Sequence, residues 1–207
     1  MKHSLNIEEW YRKDHFRFFS QFDEPFFGVT VTVDCTLAYQ RARETGASFF
    51  LFYLHRSLVA ANSIEAFRYR IEKEEVLVYQ QVNASPTINR ENGSFGFAYM
   101  DYYPDFAEFA DHAAIEMERV RNTTGLVPAM SAENVIHYSS IPWLNFTSLS
   151  HARAFGFGDS IPKISFGKMS VNGDRRTMPV SLHVHHGLMD GYEVGQFVDK
   201  FQALLDQ

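Results

Sequence analysis

The sequence predicts an α/β protein in which helices cover a sheet. Three observations carry this. Segments with an apolar residue at every second position alternate along the chain with segments at helical spacing. The hydrophobic fraction is 45% of 207 residues, enough for one sizeable core. No repeat, low-complexity tract or Pro/Gly-rich linker divides the chain, so residues 1–207 are expected to form a single domain.

In chain order, Ile7 to Phe18 reads as a short helix. From Phe26 to Asp34, Phe27, Val29, Val31 and Val33 share one face and Gly28, Thr30 and Thr32 the other, the mark of a strand. Leu37 to Glu44 reads as a helix capped at Gly46, and Phe49 to Ala61 as a longer apolar one. Phe67 to Tyr79 is expected to form a hairpin with the charged Glu72 to Glu75 at its tip, and Phe95, Phe97 and Tyr99 a further strand. Between Asp105 and Arg121 the residues Phe106, Phe109, Ala113, Met117 and Val120 fall on one helical face. Ile161 to Val171 and Met178 to His185 are expected to be antiparallel strands about an Asn172-Gly173 turn, before a helix through Val194, Phe197, Phe201 and Leu205.

Composition excludes several classes. The net charge is -6 with both signs mixed throughout, which leaves no basic stripe for nucleic acid. Cys35 is the only cysteine, so no intrachain disulfide can form, and a cytoplasmic location is expected. No stretch approaches the roughly 20 apolar residues of a membrane span. The 20 Phe and 10 Tyr exceed what a core of this size needs, which suggests aromatic pockets or subunit contacts.

The segment Ser181 to Phe197, "SLHVHHGLMDGYEVGQF", is the richest in chemistry. On a strand His183 and His185 share a face and His186 points to the other. Two histidines at this spacing supply half a metal site, and no second dense ligand cluster completes it, so no metal is expected. His183 and His185 then read as core or surface residues. His186 stands at the strand end, held rigidly yet reachable, as proton transfer requires. Histidine's ordinary pKa of about 6.5 suits it to accept a proton near neutrality. Asp190 and Glu193 have capping-box spacing, with Asp190 capping the last helix.

The run His185-His186-Gly187-Leu188-Met189-Asp190-Gly191 resembles the active-site signature of the CoA-dependent acyltransferases. Two further stretches are similar to the chloramphenicol acetyltransferase family among them. "WYRKDHFRFF" matches that family's opening at Trp10, Arg12, His15 and Phe16, and "ENVIHYSSIPWLNFTS" (Glu133 to Ser148) its Ser-x-x-Pro-Trp-x-Asn-Phe segment. The resemblance covers essentially the whole chain. It implies a two-layer sandwich with a mixed, mostly antiparallel sheet. It also implies acetyl transfer from the co-substrate acetyl-CoA to a hydroxyl of chloramphenicol, with no bound cofactor and no covalent acyl-enzyme.

By the same resemblance His186 is the general base and Ser139 the hydroxyl that stabilises the oxyanion, with Ser165 helping through a water. Asp190 pairs with Arg12 to support the site, Trp143 and Lys168 contact CoA, and Phe19, Phe27 and Phe95 lie near the acceptor pocket. The family further implies a homotrimer with active sites between subunits. The chain departs from the family pattern at Glu193, where a histidine is usual, at His183 for glutamine, Gly187 for Ser or Ala, Phe19 for tyrosine, and Ser48 for a lysine. Those departures leave open a related enzyme with another small alcohol or thiol as acceptor, and an idle ligand-binding trimer. A dihydrolipoyl acyltransferase fits less well, because the chain has no lipoyl domain or flexible linker.

Overall fold

A computed structural model describes residues 1–126, 132–153 and 158–207. The elements run β1 (Lys2–Ser4), α1 (Lys13–Phe19), β2 (Phe26–Asp34), α2 (Thr36–Glu44), α3 (Phe49–Asn62), β3 (Tyr69–Glu72), β4 (Glu75–Tyr79), β5 (Asn83–Asn89) and β6 (Phe95–Phe97). They continue through α4 (Phe106–Arg121), β7 (Val135–Ser140), β8 (Lys163–Phe166), β9 (Ser170–Asn172), β10 (Arg175–His185) and α5 (Gly191–Leu205). The main sheet has the order β2-β10-β8-β7-β5-β6, with β9 also on β10, and a small sheet has the order β1-β4-β3. β7 runs parallel to β5 and β8, and the other pairings are antiparallel, so the main sheet is mixed and mostly antiparallel.

Register fixes the two faces. Val180, Leu182 and Val184 of β10 pair with Val31, Val29 and Phe27 of β2, and this apolar face lies under the helices. Tyr53 of α3 and Phe201 of α5 meet Phe166 of β8 there, with ring centres 4.6 and 6.0 Å apart. The opposite face is polar. His137, Lys163, His183 and Gly28 form one row across four strands, and Ser139, Ser165, Ser181 and Thr30 form the next. Arg70 of β3, fully buried, ties the small sheet to β7 by donating to the carbonyls of Glu133 and Val135. Burial pushes its pKa down to about 10.

Four expectations need correction. The helix expected from Ile7 to Phe18 is broken into a 3-10 turn (Ile7–Glu9), an extended Trp10 and then α1. A continuous helix would turn Trp10 and Arg12 about 200° apart. The break lets both point inward, at 7% and 3% exposure. The regular strand expected through Tyr99 ends at Phe97; beyond it Ala98 and Met100 keep isolated backbone contacts to Pro86 and Ala84 of β5, while the Tyr99 N–H, facing away from β5, donates to the Glu116 carboxylate (2.8 Å). Ile161 to Val171 is not one strand but β8 and β9, separated where the Lys168 N–H turns to the Leu144 carbonyl (2.7 Å). A Cβ on Gly167 would stand 2.8 Å from that carbonyl and 2.5 Å from Pro179, so only glycine permits this approach. Asn172 pairs with Arg175, which centres the hairpin turn on Gly173 and Asp174, one residue later than expected.

Candidate active site

Strand β10 ends at His185, the expected end, and the His186 N–H donates to the Pro25 carbonyl (2.8 Å). The next N–H, of Gly187, donates to Nδ1 of the buried His185 (3.1 Å). Burial, with Arg153 as a second cause, pushes the His185 pKa down to about 4, so this imidazole is neutral and can accept. The His186 carbonyl accepts from Nη2 of Arg12 (3.2 Å). The backbone carrying His186 is thus fixed at three successive points. Its ring lies flat on Phe19, with centres 4.0 Å apart and planes 12° apart, and 4.6 Å from the ring of Phe27. Its Nδ1 is buried and has no hydrogen-bond partner among the described residues.

Arg12 anchors the turn. Its Nη1 donates to Asp190 Oδ2 (2.7 Å), and that pairing, with the Tyr192 N–H as the next cause, holds the Asp190 carboxyl down at about 2. Asp190 also caps α5, accepting from the Tyr192 N–H, while the Asp190 N–H donates to Glu193. Capping and ion pair therefore coexist at one residue.

A second cluster lies at the far end of β7 and β8. Ser139 and Ser165 are register partners on the polar face, and the Ser165 hydroxyl is buried with no hydrogen-bond partner among the described residues. The Ile141–Leu144 turn brings Trp143 beside Lys168, since the Lys168 N–H is bonded to Leu144. Trp143 is 66% exposed, an aromatic surface open to a ligand, in the turn that follows β7. Ser48, where the resemblance expects a lysine, caps α3 by accepting from the Leu51 N–H (3.4 Å).

One chain does not bring the two clusters together. Ser139 aligns through Ser165 with Ser181, two strands over and five residues before His186. At about 4.8 Å per strand and 3.3 Å per residue that is roughly 19 Å. The faces differ as well: Ser139 lies on the polar face and His186 against Phe27, which lies on the helix side. Phe95 sits on β6 at the sheet edge, four strands from β10, so of the three expected acceptor residues only Phe19 and Phe27 meet His186.

His183 lies on the polar face with His185, as alternation requires. Its Nδ1 is 3.4 Å from the Ser181 hydroxyl, and its ring meets His151 edge-on at 4.8 Å. A Cβ on Gly28 would come within 2.4 Å of its Nε2, so the imidazole occupies the space that glycine leaves. Among the described residues no group of three or more His, Cys, Asp or Glu could hold a metal ion. Nor is any helix among them long and apolar enough to cross a membrane. Sequence reasoning missed Tyr11, which donates to Glu193 (3.2 Å); only its place beside Arg12 hinted at a role.

The architecture recurs in solved structures. A probable dihydrolipoamide acetyltransferase from Listeria monocytogenes matches with a TM-score of 0.68 and 14% identity, over 93% of this chain and 88% of that one. That likeness is one of fold alone. A solved chloramphenicol acetyltransferase matches with a TM-score of 0.91 and 33% identity, over 99% of this chain and 100% of its own. The protein is an acyltransferase built on the CoA-dependent acyltransferase fold. The sequence profile of the chloramphenicol acetyltransferase family spans residues 2–202. Chloramphenicol acetyltransferase 3 of Escherichia coli is 28% identical over 203 residues, 97% of this chain and 95% of that protein. The Bacillus pumilus chloramphenicol acetyltransferase is 25% identical over 201 residues, 96% and 91% of the two chains. The chain belongs to the chloramphenicol acetyltransferase family.

Proposed function

We propose that the protein transfers the acetyl group of acetyl-CoA to a hydroxyl of chloramphenicol in sites shared between neighbouring subunits of a cytoplasmic homotrimer. The single domain 1–207 would supply every part, and acetyl-CoA would be a co-substrate, with no resident cofactor. The observation that supports the reading is the setting of His186 and Ser139: each stands in a prepared place, too far apart within one chain to act together, and a second copy of the chain would join them.

In this mechanism His186 takes the proton of the acceptor hydroxyl as its oxygen attacks the thioester carbonyl. The tetrahedral oxyanion accepts a hydrogen bond from the Ser139 hydroxyl of the neighbouring subunit. Collapse breaks the C–S bond, and the departing CoA sulfur takes the proton back from the His186 imidazolium. Transfer is direct within a ternary complex. The unpartnered Ser165 hydroxyl supports a bound water beside Ser139. Trp143 and Lys168, together at that end of the sheet, would receive the adenine and phosphate parts of CoA. Phe19 and Phe27 would form the acceptor wall beside the base, and Phe95 a wall contributed from the other subunit.

A thiol-release assay with acetyl-CoA and chloramphenicol tests the reading. Chloramphenicol-dependent release of CoA, abolished in His186→Ala, is expected. A second reading, another small alcohol or thiol as acceptor, is favoured by Phe19, which lacks the phenolic hydroxyl of the family's tyrosine. Release with such an acceptor and none with chloramphenicol would select it, and a protein that releases no CoA with any acceptor would be a binder only.

A further inference from the structure

We propose that Glu193 is a second anchor for Arg12, redundant with Asp190, and thereby a positioning residue for His186. The inference rests on His186 being the base.

Arg12 is 3% exposed, and a cation so placed must stay paired. Its Nη2 holds the His186 carbonyl, so wherever the guanidinium sits, the backbone of the base follows. Two carboxylates flank Nη1: Asp190 Oδ2 at 2.7 Å and Glu193 Oε2 at 4.0 Å. The nearer one is the more solvated, since the Asp190 side chain is 37% exposed and that of Glu193 only 9%. Attraction across the buried gap is less screened than across the exposed one. Glu193 is also the better fixed, with Oε2 accepting from the Asp190 N–H (2.9 Å) and Oε1 from the Tyr11 hydroxyl (3.2 Å). Tyr11 adjoins Arg12 in sequence, so Glu193 ties α5 to the segment that carries the cation without using the Asp190 side chain.

Loss of the Asp190 charge therefore does not strand Arg12. In Asp190→Asn the amide oxygen keeps the helix cap, and the guanidinium needs to move only about 1 Å to reach charge-assisted hydrogen-bond distance from Glu193. Loss of Glu193 likewise leaves the Asp190 contact. Only the removal of both leaves a buried, unpaired cation pulling on the carbonyl of the base.

The experiment is a double-mutant cycle read by kcat, the KM for acetyl-CoA and the melting transition. Asp190→Asn and Glu193→Gln alone are each expected to lower kcat less than about tenfold, and the pair together more than about a hundredfold, with KM for acetyl-CoA held within about twofold. Strict additivity, or an Asp190→Asn variant as impaired as the double, overturns the proposal; so does a KM that rises as kcat falls, the mark of general loosening. If the double variant fails to fold, Tyr11→Phe is compared in the wild-type and Asp190→Asn backgrounds. A larger loss of kcat in the second supports the proposal, and equal losses overturn it. His186→Ala, measured alongside, separates the two failures: an active His186→Ala removes the base, whereas an inactive one with additive anchors removes only the redundancy.

Discussion

Ser139 and His186 stand roughly 19 Å apart on opposite faces of one sheet, though each is held where acyl transfer would use it. An oxyanion donor has to come within about 3 Å of the developing charge. No side-chain rotation spans the difference, so in the proposed mechanism the Ser139 hydroxyl comes from a second copy of the chain.

Subunit mixing tests that arrangement. His186→Ala and Ser139→Ala are each expected to be inactive as pure oligomers. Mixed one to one and reassembled, about a quarter of the shared sites would pair an intact His186 with an intact Ser139. Recovery of about a quarter of wild-type kcat is therefore expected, together with light scattering at about three times 23.9 kDa. An intrachain site would recover nothing.

The two neighbouring histidines differ in kind. His186→Ala is expected to lower kcat by roughly 10²–10⁴-fold with acetyl-CoA binding kept. His183 fills the space above Gly28 on the other face, and His183→Ala is expected to change kcat far less. Steady-state kinetics of the pair decides, and a reversed order would show that the wrong imidazole has been taken as base.

How much was legible follows from these same residues. Period-two alternation placed β2, β10 and the faces of their histidines, because each has one apolar side against helices. It gave no sign of β5 and β7. In "NASPTIN" the alternating buried positions fall on Ala84, Pro86 and Ile88, and in "VIHYSS" Ile136 and Tyr138 are followed by two serines, so neither segment carries a run of large apolar residues at alternate positions, and β7 lies between two parallel neighbours. Ser139 was reached through the Pro142-Trp143 segment, a resemblance, and not through its strand. The break at Trp10 was invisible because helical spacing does not register that Arg12 must also face inward. The second anchor on Arg12 went unseen since capping-box spacing already accounted for Glu193. The distance between the halves of the site is a property of register, which no local pattern encodes.

Gly28 and His183 form a lock that a paired substitution can expose. A Cβ at Gly28 would stand 2.4 Å from Nε2 and 2.6 Å from Cδ2 of His183. Gly28→Ala is expected to destabilise the protein by about 1–3 kcal/mol, the range for overpacking. Gly28→Ala combined with His183→Ala should recover most of that loss in urea denaturation. Equal loss in both backgrounds would place the strain elsewhere.

Acid stability should depend on His185. Its folded pKa is depressed to about 4, chiefly by burial, against about 6.5 for an unfolded histidine. Above about pH 6.5 both states are neutral and it contributes nothing. As pH falls from there toward about 4, the unfolded chain takes up a proton that the folded chain cannot, and stability declines by up to about 3 kcal/mol. Protonation of Nδ1 would also break the bond from the Gly187 N–H beside the base. Urea titrations at about pH 7.5 and pH 5 should therefore differ less for His185→Gln than for wild type. Equal differences would clear His185 of the effect.

Phe19 carries the last prediction, because its ring bears on the base and on the acceptor at once. It stacks flat on His186 at 4.0 Å, and aromatic pairs of this kind contribute about 0.5–1.5 kcal/mol beyond burial. Nδ1 of His186 has no hydrogen-bond partner among the described residues, so this stack, with the tilted Phe27 ring at 4.6 Å, holds the imidazole by ring contact alone. Phe19→Tyr preserves the stack and offers a phenolic hydroxyl, so kcat should stay within about twofold. KM for chloramphenicol should hold or fall by up to about tenfold, the value of one added hydrogen bond. Phe19→Leu removes the stack while keeping an apolar wall, and kcat should drop about tenfold with acetyl-CoA affinity unchanged. If Phe19→Leu instead raised only the acceptor KM and left kcat intact, the ring would be acting as a wall for the substrate and the imidazole would be held by something else.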